Sequence, residues 1–523
     1  ASVSQNGRFR AVFLSVIMVL MTQVGYTDNM DFSIGLNQDT ESKDTGGSTP
    51  ALTPSVEGAD LMVGDLMDDI TFQYNASAAS GSGSGSNSGT YNGNGTAWMV
   101  ENIASGGVSS FPEKMTAVGN TLFFKANNGQ DGFELWKSNG TSSGTVMVKD
   151  INSGSGSQAS SNPNYLTEMG NTLYFSAMDS TNNGHQLWKS DGTASGTVMV
   201  TAINSGGTAN PGIHTDGFVI MNNNLFFSAE DGTNGVELWK SDGTASGTVM
   251  VKDINSGSGE SFSYTPAISP VVFNNELYFQ AKDGTSGFEL WKSDGTASGT
   301  VMVKDINSGS GDSKPEHLTV VGNTLFFMAY DGINGFELWK SDGTSSGTVM
   351  VKDIRSGSAH GAPNYLTAVG NTLFFNANDG TNGAELWKSD GTASGTVMVK
   401  DINSGSSSSP TYLTAVGNTI YFRANDGTHG WELWKSDGTA SGTVMVKDIN
   451  NAGSNGDPYW LTAVGNTLYF QADTGTYGGE LWKSDGTASG TVMVQDIYSG
   501  TGSSGAHEFV LVGNTIYFTA TEA

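Results

Sequence analysis

Apolar residues in this chain come in short runs divided by polar turns, and the runs repeat. One unit spans residues 365–411: YLTAVGNTLFFNANDGTNGAELWKSDGTASGTVMVKDINSGSSSSPT. Its first run, LTAV, stops at Gly370-Asn371, a two-residue hairpin signal. TLFFNA follows, aromatic and suited to a pleated strand. Asp379-Gly380-Thr381-Asn382-Gly383 turns the chain, because Gly and Asn tolerate positive φ. AELWK is the third run, Ser389-Asp390-Gly391 the next turn, and TVMVKDI the fourth run. No stretch of the unit has helical periodicity, so it predicts four short antiparallel strands.

The unit recurs almost unchanged. The Trp of Glu-Leu-Trp-Lys-Ser-Asp-Gly-Thr falls at Trp136, Trp188, Trp239, Trp291, Trp339, Trp387, Trp434 and Trp482. Four strands in about 40–50 residues, repeated, is the signature of a β-propeller. A single four-stranded sheet cannot bury both faces, whereas blades stacked around an axis can. The Leu-Phe-Phe and Leu-Trp residues then become the core between blades.

These repeats resemble the ELWxxDGT-repeat proteins found at microbial surfaces, over roughly residues 95–521. The resemblance implies an extracellular location and a propeller, and no activity. The fold expected is all-β: a β-propeller of four-stranded blades, preceded by one apolar N-terminal helix.

Nine blades are expected, with eight as the alternative. Gly95 to Ile103 matches the fourth strand, and Val512 to Phe518 matches the end of the first strand and the start of the second. Ile70-Thr71-Phe72-Gln73-Tyr74-Asn75 is a β-prone candidate for the one missing third strand. The termini would then share a closing blade, with strands one and two from the C-terminus and strands three and four from the N-terminal side. In the alternative, eight blades close with loose ends, or residues 70–75 fill the gap in a neighbouring molecule by strand addition.

Residues 11–26, AVFLSVIMVLMTQVGY, are uncharged and mostly apolar, with Arg8 and Arg10 before them and Asp28 and Asp31 after. As a helix, Phe9 to Tyr26 spans about 27 Å, close to a bilayer core. Three readings compete: a secretory signal peptide, a membrane anchor, and a helix held first in the membrane and then in a filament core. The first lacks a good small-x-small cleavage site near Tyr26. Because the chain begins at Ala1, retention of the apolar helix after removal of a leader is expected. This resembles type IV pilin-like subunits, although here ten mostly polar residues come first. Phe13, Leu14, Ile17, Met18 and Leu20 are the candidate assembly residues of the helix, with Ile70, Phe72 and Tyr74 as those of the added strand. Residues 31–69 read as a polar spacer, residues 70–94 as the closing or donated strand with a Gly/Ser-rich loop, and 95–523 as the propeller.

Charge narrows the partners. There are 51 acidic and 23 basic side chains, a formal net charge of −28. Nucleic acid is excluded as a partner, because phosphate binding needs Lys and Arg. The absence of cysteine excludes disulfides, thiolate metal sites and Cys nucleophiles.

The six histidines, His185, His214, His317, His360, His429 and His507, occupy unrelated repeat positions and show no metal-ligand spacing. The Asp-Gly-Thr turns either cap their own hairpins through Asp390 and its counterparts or hold Ca²⁺ with loop carbonyls. No other cofactor is expected. A catalytic residue is needed once, so an active site would break the repeat. The irregular acids Glu168, Glu260 and Glu316 are not brought together by spacing, and no catalytic residue is assigned.

The strongest variation falls on the residue before Glu-Leu-Trp and on the loops after the fourth strand. Trp431, Tyr264, Tyr459 and Trp460 are candidate contacts for a sugar or a neighbour, or else local packing. The longer early repeats, one to four, are the expected place for a specialised surface. Asn75, Asn94 and Asn139 lie in N-x-Ser/Thr sequons and are candidate glycan acceptors. The resulting expectation is a non-enzymatic subunit of a cell-surface filament. Its partners are other copies of itself, a membrane before assembly, and surface glycans. The alternative is a membrane-anchored binding module.

Overall fold

The computed structural model describes residues 71–78 as backbone and residues 97–522, apart from 105–108, 154–158, 182–183, 205–208, 212–216, 263–269 and 452. The expected N-terminal helix, with Phe13, Leu14, Ile17, Met18 and Leu20, lies outside the described residues, as does Ile70.

Eight four-stranded antiparallel sheets follow one another along the chain, each built from consecutive strands in the order one-two-three-four. In blade six the strands are Asn364–Val369, Thr372–Asn378, Ala384–Ser389 and Val397–Lys400. The second strand is buried on both faces, because Leu373, Phe375 and Ala377 point to blade five while Phe374 points to blade seven. Leu338, Val351 and Ile354 from blade five and Trp387 from blade six complete that interface. The same set of positions recurs at the other blade interfaces. Neighbouring blades approach one another most closely through their first strands, which places those strands at the hub.

Polar side chains stitch the blades together. Lys388 Nζ donates to Gly438 O of the next blade at 2.8 Å. Lys400 Nζ donates to Thr443 O at 2.9 Å and sits 5.8 Å from the Trp434 ring centre. At the hub, Thr367 Oγ1 donates to Leu413 O and Thr414 Oγ1 to Leu461 O, at 3.3 and 3.1 Å.

Among the described residues eight complete blades are present, the alternative count, rather than nine. The last hairpin, His507–Val512 and Thr515–Glu522, carries only one further strand, Thr71–Ala78, so this sheet has three strands. The expected closing strand at 70–75 thus extends to Ala78 and pairs parallel to the hairpin, in register from Thr71 opposite Thr515 to Ala78 opposite Glu522. In the repeats, a short hairpin joins strand two to strand three and forces the antiparallel direction. Thr71–Ala78 comes from the other end of the chain, so no such turn constrains it.

The expected fourth strand at 95–103 is regular only at a single bridge, Met99. Its side chains still take the fourth-strand places. Met99 packs against the eighth blade and the last hairpin, and Val100 and Ile103 pack with Leu122, Phe124 and Trp136 of blade one. Among the described buried residues the interface between blade eight and the three-stranded sheet has no Trp, because Thr71–Ala78 stands where the repeats carry Glu-Leu-Trp.

Candidate functional site

The repeated polar groups are used up inside the repeats. Asp390 Oδ1 accepts hydrogen bonds from Thr392 N at 2.8 Å and Thr392 Oγ1 at 2.7 Å. These bonds hold the carboxyl below its ordinary value. The same contacts recur at Asp191, Asp242, Asp294, Asp342, Asp437 and Asp485. Asn139 replaces the Asp in blade one and accepts the same two bonds from Thr141; it is exposed. Among the described residues no group of three or more His, Asp or Glu side chains is placed to hold a metal ion. Of the other sequons, Asn75 lies on the added strand and Asn94 outside the described residues.

The Glu of Glu-Leu-Trp is fully buried at seven positions. Glu134 Oε1 accepts from Ser161 N at 2.8 Å, and its Oε2 accepts from Ser161 Oγ at 2.6 Å and Ile151 N at 3.0 Å. The carboxyl therefore ties the end of the fourth strand to the loop entering the next blade. Burial outweighs these hydrogen bonds and pushes Glu134, Glu237, Glu289, Glu337 and Glu432 up to about 7. In blade two Gln186 does the same work, accepting from Ile203 N at 2.9 Å and donating to Asn204 O at 3.2 Å. The recurrence of one contact in every blade is what a structural clip requires.

The exceptions to the repeat are more informative. Arg423 replaces the small or amide side chains found at its position in most blades, and it lies between two aromatic rings. Its guanidinium carbon is 4.1 Å from the Trp431 ring centre and 4.7 Å from that of Tyr459. Arg423 Nη2 donates to Asp457 Oδ1 at 2.5 Å and Tyr459 Oη at 3.2 Å. The Trp431 backbone donates to Asn455 Oδ1 at 3.1 Å and accepts from Asp457 N at 2.9 Å. Trp431 and Tyr459 are thus joined into one clamp by a residue that the sequence reading did not single out. Tyr264 lies outside the described residues.

Trp460 differs from both. Its ring is braced by Tyr412 at 6.3 Å and His507 at 5.8 Å, and Tyr412 meets Tyr459 edge-on at 5.6 Å. Trp460 remains 50% exposed and Tyr365, on blade six, 46%. Tyr365, Tyr412 and Trp460 are the same residue of three successive first strands, where a bulge interrupts the pairing with strand two. Together with Leu366, Leu413 and Leu461 they line a hub-side groove of about 440 Å³ that reaches Glu508. Tyr365 and Tyr412 are not among the candidate contacts of the sequence, because the predicted first strand starts at the following Leu and nothing in the residue pattern marks the bulge before it. The groove lies on the late blades, not on repeats one to four, where the specialised surface was expected.

The histidines do not converge on one site among the described residues. His429 Nδ1 lies 2.7 Å from Asp426 Oδ2, which raises its pKa, and His360 Nδ1 accepts from Phe336 N at 2.9 Å. Glu168, Glu260 and Glu316 stand in or before different blades. No described helix is long and apolar enough to cross a membrane.

No protein-family model and no curated protein matches this sequence. Solved structures match it at low similarity. A puromycin hydrolase matches at 13% identity and TM-score 0.36, over 64% of this chain and 53% of that one. A prolyl endopeptidase matches at 12% identity and TM-score 0.37, over 64% and 49%. The β-propeller domain of the Trilobed protease from Pyrococcus furiosus matches at 10% identity and TM-score 0.35, over 74% and 98%. The match thus spans about half the length of the puromycin hydrolase and the prolyl endopeptidase, and at these identities and TM-scores nothing about this chain is argued from it.

Proposed function

We propose that this chain is a non-enzymatic extracellular structural protein, the subunit of a cell-surface filament that displays a β-propeller and assembles through its N-terminal segment. One observation supports the reading most directly. The strand Thr71–Ala78 is added in register to the last hairpin, and the resulting sheet stops at three strands. An arm that supplies a strand to a sheet edge is a common device of assembly, because backbone hydrogen bonds provide affinity without special side chains. The outer edge of Thr71–Ala78 has no partner strand among the described residues, and an unpaired edge is a template for another chain. We read the three-stranded sheet as the ring's closing blade, able to take its added strand from its own chain or from a neighbour.

The apolar run at 11–26 and the resemblance to microbial surface repeats point the same way, toward a membrane before assembly and a filament afterwards. The test compares the full chain with a variant lacking residues 1–79 by negative-stain electron microscopy and sedimentation. Ordered fibres from the full chain and single rings from the deletion are expected. Single rings from both would overturn the filament reading.

A second reading, a membrane-anchored module that binds a glycan or surface protein, is favoured by the exposed aromatic groove of blades six to eight.

A further inference from the structure

The bulge at the start of the first strand places one residue in the left-handed region in six of the eight blades and in the last hairpin, among the described residues. Lys114, Tyr165, His317, Tyr365, Tyr412, Trp460 and Glu508 have φ between 54° and 60° there. A side chain in that region costs about 1–2 kcal/mol, and glycine is the residue that adopts it without strain. Blade three carries Gly217 at the corresponding sequence position, with φ of 120° and an uninterrupted pairing of its first two strands. The backbone of the bulge therefore does not need a large side chain. Aromatic residues at Tyr365, Tyr412 and Trp460 add strain and expose apolar surface at the hub, so their explanation lies in what the side chains touch.

We infer that the hub groove of blades six to eight is a binding site for a neutral saccharide, stacked on Trp460 and Tyr365, with Tyr412 bracing Trp460. The inference deepens the binding-module reading and is independent of filament assembly. Four features carry it. Exposed aromatic faces, of which that of Trp460 is braced by Tyr412 and His507, suit the apolar C–H faces of pyranose rings. The groove volume of about 440 Å³ lies within the usual size of small-ligand sites, roughly 300–1,000 Å³. The rim offers polar groups: the Tyr phenols and the Glu508 carboxylate, whose Oε2 already accepts Met115 N at 3.2 Å. Finally, the net charge of −28 and Glu508 at the groove disfavour an anionic ligand, which leaves uncharged sugars rather than acidic ones.

The threonines of the groove have no proton to offer, because Thr367, Thr414 and Thr462 Oγ1 each donate to backbone carbonyls of the first strands. A bound sugar would therefore be held by stacking first and by few direct hydrogen bonds, so weak affinity multiplied over many copies is the expected mode.

The test is saturation-transfer-difference NMR on the full chain, a method that works on assembled and single particles alike. The probes are maltohexaose, cellohexaose, xylohexaose and chitohexaose, with a neutral hexapeptide as the competing class. Transfer to the ring C–H protons of at least one oligosaccharide is expected. It should fall at least tenfold in Trp460→Gly and in Tyr365→Gly, and remain unchanged in Phe111→Ala, an exposed aromatic of blade one. The glycine variants should fold, since glycine adopts the left-handed region without strain, and thermal melting of each verifies this. No transfer to any oligosaccharide, transfer to the peptide alone, or transfer undiminished in folded Trp460→Gly would each overturn the site. None of these results bears on fibre formation, so failure here is distinct from failure of the filament reading.

Discussion

The buried glutamates predict an unusual dependence of stability on pH. Glu134 is fully buried, and its pKa rises from 4.5 in the unfolded chain to about 7 in the folded one. Below about pH 4.5 both states hold the proton. Between 4.5 and 7 the unfolded chain releases it while the folded ring keeps it, so the folded state binds more protons and stability falls as pH rises. Above 7 the loss is complete. One pKa unit corresponds to about 1.4 kcal/mol, so Glu134 accounts for an order of 3 kcal/mol across this window. Glu237, Glu289, Glu337 and Glu432 act in the same direction.

The lowered turn aspartates, such as Asp390, do not oppose this trend. Their contribution is gained as pH rises from the lowered folded value to the unfolded value of 3.8, below the window in which the glutamates act. His429, raised by Asp426, is another group whose contribution is lost as pH rises, and His429→Asn separates it. The assay is equilibrium denaturation of the full chain and of Glu134→Gln at pH 5.0 and 7.5. The wild type should be less stable at pH 7.5, and the variant should lose about 2–3 kcal/mol of that difference. Gln186 in blade two shows that the amide fits the clip. Greater wild-type stability at pH 7.5, or an identical pH difference in the variant, would refute the reasoning.

Three further outcomes follow from the contacts between blades. Glu385→Ala leaves Ile402 N, Ser408 N and Ser408 Oγ without their acceptor, and should cost about 3–5 kcal/mol in denaturant titration. Lys352→Met removes a 2.7 Å bond to Thr396 O and a cation 5.6 Å from the Trp387 ring centre, and should cost about 1–2 kcal/mol by the same measurement. Thr414→Val deletes the hub bond to Leu461 O and should lower stability by about 1 kcal/mol, with faster amide exchange at the first strand of blade eight.

The blades were legible because every local signal agreed: turns at Gly370-Asn371 and Ser389-Asp390-Gly391, apolar strands between them, and eight copies of the pattern. The role of Asp390 as its own turn's cap was one of two readings left open, and the hydrogen bonds at Thr392 favour it. What was not legible depended on geometry between repeats. Strand direction at residues 71–78 could not be read, because no hairpin connects that strand to its partner. The Arg423 clamp was hidden because Trp431, Arg423 and Tyr459 belong to three strands of two blades. The groove was hidden for a different reason. Its aromatic residues occupy a left-handed bulge, a backbone state for which the sequence carries no signal unless glycine or asparagine marks it.

The central claim, assembly through an added strand, is tested most directly by cryo-electron microscopy of the full chain isolated from its native cells. The account predicts long regular fibres with the propellers on the outside. A strand should lie parallel along Thr515–Glu522 and be traceable to the N-terminal segment of the same or the adjacent subunit. Isolated rings, or fibres in which the last hairpin carries no added strand, would contradict it.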